Sequence, residues 1–292
     1  DLTLRNQAGQ TRLDARVVLP DGDVAQTRWQ GQLRPQAWAD SQLDGYLLMP
    51  AAEWRHRLPH SWIEYSGLSS LDLGGQLWLH WADGSLQSAD AELNVPRVVR
   101  GDASIEDMQL QLAYQRQSGH DAVHMQLHQA RLQQAPLPAM SLRVERQHEQ
   151  GQWRAQLDQL ALQPLARLVM QLLPDARPRE VLTTLDPQGQ LADIQLSGGA
   201  DWRNWLDWQL GARLQGVQVS AWEGVPALSG VHGVVQGTPA EGLLQLDMTD
   251  WSIALPRLFA AAQDYEALRA DVFWGWQPEQ GFTLDIPGAA IR

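Results

Sequence analysis

The chain has 292 residues and a formal net charge of −12, and all 22 basic residues are arginine because lysine is absent. That balance excludes the basic stripe that nucleic acid requires, and it disfavours docking on an anionic membrane surface. The absence of cysteine excludes structural disulfides, thiolate catalysis and cysteine-based zinc sites, while the length still allows a substantial core.

Hydrophobic residues make up 44% and charged residues only 19%, so the polar surface must come from elsewhere. It comes from 35 glutamines, scattered opposite apolar residues and not clustered as in a prion-like tract. No signal peptide and no apolar run of about 18 residues is present. The chain opens at Asp1 inside a strand-like pattern, which leads to the expectation that it is a piece of a longer protein.

In chain order, Leu2 and Leu4, then Leu13, Ala15 and Val17, alternate with polar partners and predict a hairpin. A turn at Pro20 to Gly22 leads into a strand over Ala25 to Leu33. Pro35 to Leu43 and Pro50 to Leu58 each open on proline with apolar groups at helical spacing, predicting two short helices. Leu77, Leu79 and Trp81 then share one strand face, and the Asp83-Gly84 turn returns the chain through Leu86 to Val95. From Met108 to Leu157 the alternation is nearly unbroken. Leu110 and Leu112, then Met125 and Leu127, then Leu142 repeat the same parity in an antiparallel meander of strands about five to nine residues long.

Pro164 opens a helix with Leu165, Leu168, Val169 and Leu172 on one stripe, ended by Pro174, and a weaker helical turn covers Arg179 to Leu185. Strands resume at Leu191 to Leu196, Trp208 to Val219 and Val231 to Gln236. Gly242 to Ile286 then resolves into four short strands, with a helical turn at Ala260 to Tyr265. Leu244, Leu246 and Met248, then Trp251 and Ile253, then Val272 and Trp274, then Leu284 and Ile286 occupy the apolar parity of those strands. These nine residues are expected to form one continuous apolar wall. The expected organisation is a first sheet segment over 1–160, a helical insertion or cap over 161–187, and a second sheet segment over 188–292.

No constellation of catalytic groups stands out. His120, His124 and His128 fall four apart, but Val123, Met125 and Leu127 between them mark a strand, where His124 and His128 lie about 13 Å apart, too far to share a metal. Ser69 and Ser229 lack the strand-turn-helix setting of a nucleophile elbow, and His232 lies beside Ser229 on the same strand. Acid pairs such as Glu106 with Asp107 sit at strand ends, and no phosphate loop or dinucleotide fingerprint occurs. The chain is therefore expected to be no enzyme and to need neither cofactor nor metal. Tryptophan is abundant at 14, against 4 Tyr and 3 Phe. Trp202, Trp205 and Trp208 either plug a sheet end or form a sugar-stacking platform, and the second option is the alternative function: a carbohydrate-binding or adhesin-type β module.

Pro164 to Leu196 (PLARLVMQLLPDARPREVLTTLDPQGQLADIQL) and Gly224 to Ile286 resemble the AsmA-like family of Gram-negative envelope proteins, closest to its very long YhdP subgroup. GGQLWLHWADGSL, preceded by the Pro50 to Pro59 stretch with Trp54, fits the same subgroup. The resemblance implies a mainly β fold with a few short helices, a long curved antiparallel sheet forming an open apolar groove. It implies a periplasmic middle segment of a protein anchored in the inner membrane, with phospholipid as cargo and inner- and outer-membrane proteins as partners of the full-length molecule. The groove lining would be the apolar parity set: Leu77, Leu79, Trp81, Leu110, Leu112, Met125, Leu127 and Leu142, together with the wall residues from Leu244 to Ile286. The family supplies no active site to carry over.

Overall fold

The computed structural model describes residues 1–292 except 8, 20, 35, 58–60, 62–65, 102, 173–175, 202, 223–225, 256–260 and 278–280. The chain is mainly β and antiparallel, with eighteen strands and two α-helices of eight or more residues among the described residues. It divides into two compact units, Asp1–His148 and Glu149–Arg292.

In the first unit, strands β1 (Leu2–Gln7), β2 (Gln10–Val18), β3 (Val24–Gln32) and β4 (Gln42–Glu53) pair in chain order. The order continues through β5 (Leu68–Ala82), β6 (Ser85–Arg100), β7 (Ala103–Gln117) and β8 (His120–Leu132). Both β9 (Ala135–Leu137) and β10 (Met140–Gln147) lie along the far side of β8. The second unit runs likewise through β11 (Trp153–Ala161), β12 (Gln188–Gly198), β13 (Gln209–Val219), β14 (Ala227–Gly237), β15 (Glu241–Ala254) and β16 (Gln263–Gln277). β17 (Gly281–Asp285) and β18 (Ala289–Ile291) share the far side of β16. Helices α1 (Leu162–Leu172) and α2 (Ala176–Leu185) connect β11 to β12, and α1 packs against both strands. The predicted helices thus fall inside the second compact unit.

Each sheet is a single layer. The chain exposes 18581 Å², whereas two compact globules of half its mass would together expose roughly 15,000 Å². Burying one unit against the other only lowers the exposed area, so the excess belongs to the units themselves.

Several sequence expectations are corrected. The central strands are longer than five to nine residues: β5, β6 and β7 have 15, 16 and 15, and β15 has 14. Leu244 to Met248 and Trp251 to Leu255 are not two strands, because β15 runs through both. The reason is a parity flip. Asp250 takes a left-handed φ of 51°, so two residues instead of one separate Met248 from Trp251 and both stay on one face. Asp107 in β7 and Asp193 in β12 do the same at φ 50° and 51°, aspartate being one of the few residues that tolerates this conformation. Each of these two is ion-paired to an arginine of the adjacent strand, Arg131 and Arg213 respectively.

The predicted helix at Pro50 to Leu58 is replaced by the end of β4 and a single 3-10 turn at Arg55–Arg57. Pro50 sits where the β4–β5 register slips between Met49 and Ala52, a place where no ladder N–H is required. Trp54 is held there by donating its indole N–H to the Leu73 carbonyl at 2.6 Å. Leu58 lies outside the described residues. The predicted helix at Pro35 to Leu43 is one 3-10 turn, Trp38–Asp40, running directly into β4. Of the helical turn expected at Ala260 to Tyr265, Ala260 lies outside the described residues and Gln263 to Tyr265 are already strand.

The bulge account makes a measurable distinction at Asp250. Asp250→Gly keeps the left-handed backbone accessible and is expected to leave stability within about 0.5 kcal/mol, whereas the β-branched Asp250→Val is expected to lose roughly 1–3 kcal/mol in urea unfolding.

Candidate functional site: an uncovered apolar face

Residues directly paired across a ladder lie on one face, so the registers assign every strand position to a side. In the first unit, Leu47, Leu77, Ala91, Leu112, Met125 and Leu142 are successive partners across β4, β5, β6, β7, β8 and β10. A parallel row runs Gly45, Leu79, Ala89, Tyr114, Val123 and Val144, and a third runs Leu93, Leu110, Leu127 and Met140. Trp81 joins this face opposite Leu43. Five strand spacings make each six-member row about 24 Å long. All eight lining candidates of this unit share the face.

The other face is hydrated. Its rows read Gln76, Glu92, Gln111, Gln126 and Ser141, and His80, Ser88, Gln115, Ala122 and Glu145. The Asp44 carboxylate contacts His80 Nδ1 at 2.8 Å on this side, and Asp14 accepts from Arg12 and Arg28 at 2.7 Å each. Hydrogen bonds from Arg12 and Arg28 lower the Asp14 pKa to about 2. The scattered glutamines of the sequence are largely this face.

In the second unit one row crosses seven strands: Ala155, Leu196, Leu210, Gly237, Gly242, Trp274 and Leu284. Leu244 pairs with Val272, Leu246 with Ala270 and Met248 with Leu268 on the same side. Beyond Asp250, Trp251 stacks on its partner Tyr265 with ring centroids 4.9 Å apart, and Ile253 lies opposite Leu228. Met248, Trp251, Leu268 and Val231 form the buried cluster, and Leu246, Ile253 and Ala270 pack against it. Eight of the nine predicted wall residues are therefore joined by register or packing. The ninth, Ile286, follows the end of β17, is 54% exposed and enters no ladder.

Most members of these rows are only half-buried, and apart from α1 against β11 and β12 no α-helix or second sheet among the described residues is seen to pack over them. The faces are smoothed by a pairing that sequence reading missed. Trp29, Trp153 and Trp274 lie over Gly45, Gly198 and Gly242, their direct cross-strand partners. A Cβ on Gly242 would come within 2.0 Å of the Trp274 ring, so only glycine lets the indole lie flat. Trp274 also donates its N–H to the Thr238 carbonyl at 3.2 Å. Beside it opens an apolar recess of about 420 Å³ walled by Leu196, Leu210, Val235, Trp205, Trp208 and Trp274. No signal along the chain links Gly242 to Trp274, because the pairing exists only once the register is set.

The Trp202 side chain lies outside the described residues. Trp205 is 59% exposed, whereas Trp208 is half-buried and packs edge-on against Trp153 at 5.1 Å and 78°. His120, His124 and His128 all lie on β8, and no group of metal-ligating residues occurs among the described residues. His124 is paired with Ser141 at 2.9 Å. Ser229 shares a 2.6 Å hydrogen bond with Ser252, and His232 is exposed.

At one end the apolar face of the first unit turns polar around Asp121. Its Oδ1 accepts from Tyr114 Oη at 2.9 Å and Arg116 Nε at 3.0 Å, and its Oδ2 lies 2.7 Å from His148 Nε2. The Arg116 hydrogen bond, supported by those of His148 and Tyr114, outweighs desolvation and holds the Asp121 carboxyl well below the usual carboxylate range.

A single-layer antiparallel sheet with one hydrated face and one apolar face defines the class: β proteins built around an apolar surface. Residues 1–292 match the family model described as YhdP protein, and the chain belongs to the YhdP family. No curated protein and no solved structure matches it. No helix among the described residues is long and apolar enough to cross a membrane.

Because the folded pKa of Asp121 is depressed, its contribution to stability is present above the unfolded carboxylate value of about 3.9 and is lost as pH falls below it. Asp121→Asn is expected to cost roughly 1–2 kcal/mol at pH 7, and the gap from wild type should narrow at pH 3, both read from urea midpoints.

Proposed function

We propose that this chain is a non-catalytic segment of a periplasmic bridge that carries phospholipid between the inner and outer membranes, its apolar sheet face serving as the wall of an open groove. The observation that carries the reading is the continuity of that face, unbroken from strand to strand within each unit while the reverse side is studded with Gln, Arg and Asp. Moving one acyl chain into water exposes about fifteen methylenes at roughly 0.8 kcal/mol each, on the order of 12 kcal/mol. A lipid crossing an aqueous gap therefore needs an apolar wall without polar breaks, and a one-sided sheet supplies it. Membership of the YhdP family supports an envelope location and a role in lipid transport.

The alternative of a carbohydrate-binding or adhesin-type module needs coplanar exposed rings. Trp208 offers little support for it, since its edge-on contact with Trp153 leaves it half-buried.

The test is site-specific photo-crosslinking in cells combined with native mass spectrometry of the purified chain. A photoreactive residue at Leu246 or Leu112 is expected to capture phospholipid, while one at Gln245 or Gln111, on the opposite face, is not. Equal capture from both faces, or no lipid in either measurement, would remove the proposal. Within the same assay, Gly242→Val should displace the Trp274 ring and reduce capture at Leu244 severalfold, because its side chain has no room beneath the indole.

A further inference from the structure

The apolar face of the first unit does not fade gradually at the β7–β8 hairpin. It ends in a charged row. Continuing the face parity two residues beyond Ala89, Tyr114, Val123 and Val144 gives Gln87, Arg116, Asp121 and Arg146, of which Arg116–Asp121 and Asp121–Arg146 are direct ladder partners. His148 follows at the same parity, held by its backbone N–H to the Gly119 carbonyl at 2.8 Å. One carboxylate thus faces two guanidiniums and an imidazole, a local excess of positive charge in a chain of net charge −12. Asp121 accepts from Arg116 Nε at 3.0 Å. Arg116 lines a recess of about 710 Å³ with Gln87, Gln117, Ser118, Gly119 and His148.

The height of the wall below this row matters. From the Val95–Met108 pair to the Ala89–Tyr114 pair is six residues along β6, about 20 Å at the rise of a strand. Half the hydrocarbon thickness of a bilayer, the depth that one lipid's chains occupy, is about 15 Å. An amphiphile whose first polar atoms sit at the Arg116–Arg146 row therefore has room for its chains along the strands of this wall. Planar guanidiniums presenting paired N–H donors suit a phosphodiester oxygen pair.

We infer that Arg116, held by Asp121, and its row neighbour Arg146, flanked by His148 and Ser118, form a seat for the phosphodiester group of an amphiphile whose acyl chains rest on the adjoining apolar rows. Asp121 acts as a positioning residue, fixing Arg116 through its Nε. The inference rests on the lipid reading above and adds to it a fixed orientation: chains along the strands, headgroup at the β7–β8 end.

The 292-residue chain tests it by direct binding of dipalmitoyl phosphatidylglycerol and of dipalmitoylglycerol, which carries the same chains without a phosphate. Wild type is expected to prefer the phospholipid. Arg116→Gln and Arg146→Gln should each weaken phospholipid binding about tenfold, the loss of one charged hydrogen bond, and leave diacylglycerol binding unchanged. Arg146 is exposed, so its variant should fold even where Arg116→Gln does not, and circular dichroism checks both. Equal affinity of wild type for the two lipids, or a parallel loss of both in the variants, would overturn the seat while leaving the apolar wall intact. Displacement of the His148 proton resonance by inorganic phosphate, with no preference between the lipids, would assign the row to a free anion and also overturn it. Failure of wild type to bind either lipid removes the lipid reading itself, and the seat with it.

Discussion

An apolar sheet face left without a covering layer must be held in shape by its own lateral contacts. In this chain those contacts are cross-strand: Leu112 against Ala91 and Met125, Met248 against Leu268, Trp251 stacked on Tyr265, indoles laid over glycines. Among the described residues few side chains reach full burial, Ser41 at 0% and Met248 at 2% being the most enclosed. Everything else follows from that constraint. Long strands maximise the number of lateral contacts per connection, and the polar reverse face of glutamines and short ion pairs keeps the second side in water.

The same constraint explains the aspartate bulges. The bulges lie in strands of 15, 11 and 14 residues, where each sharpens the local twist and changes which residues face inward. Asp107, Asp193 and Asp250 place the extra residue where the apolar parity changes in the sequence, so the apolar side remains one surface instead of switching faces midway. Two of the three are tied to an arginine on the next strand. Those exposed pairs add little to stability but keep the bulged aspartate on the hydrated side.

Polarity is also graded along the strands. Apolar rows occupy the middle of the first unit, and the Arg116–Asp121–Arg146 row closes one end of that face. In the second unit an apolar recess is walled in part by Trp205, Trp208 and Trp274. A guanidinium row and an indole-lined recess differ in what they can hold: the first offers fixed charge and paired donors, the second a flat apolar surface with few donors.

Much of this was legible along the chain, because alternation at a period of two needs only neighbouring residues. It assigned the inward parity of Leu77, Leu112, Met125, Leu246 and Trp274, read His120, His124 and His128 as part of one strand, and located both helices after Ala161. It broke β15 in two where the bulge at Asp250 resets the parity, and it read Pro50 as a helix start because a register slip leaves no mark in sequence. Which row meets which, and hence the Trp274–Gly242 contact and the Arg116–Asp121–Arg146 row, was decided by tertiary structure alone. Register couples residues dozens of positions apart through backbone hydrogen bonds. The sequence determined what each face is made of, and the pairing of strands determined that the pieces form continuous surfaces.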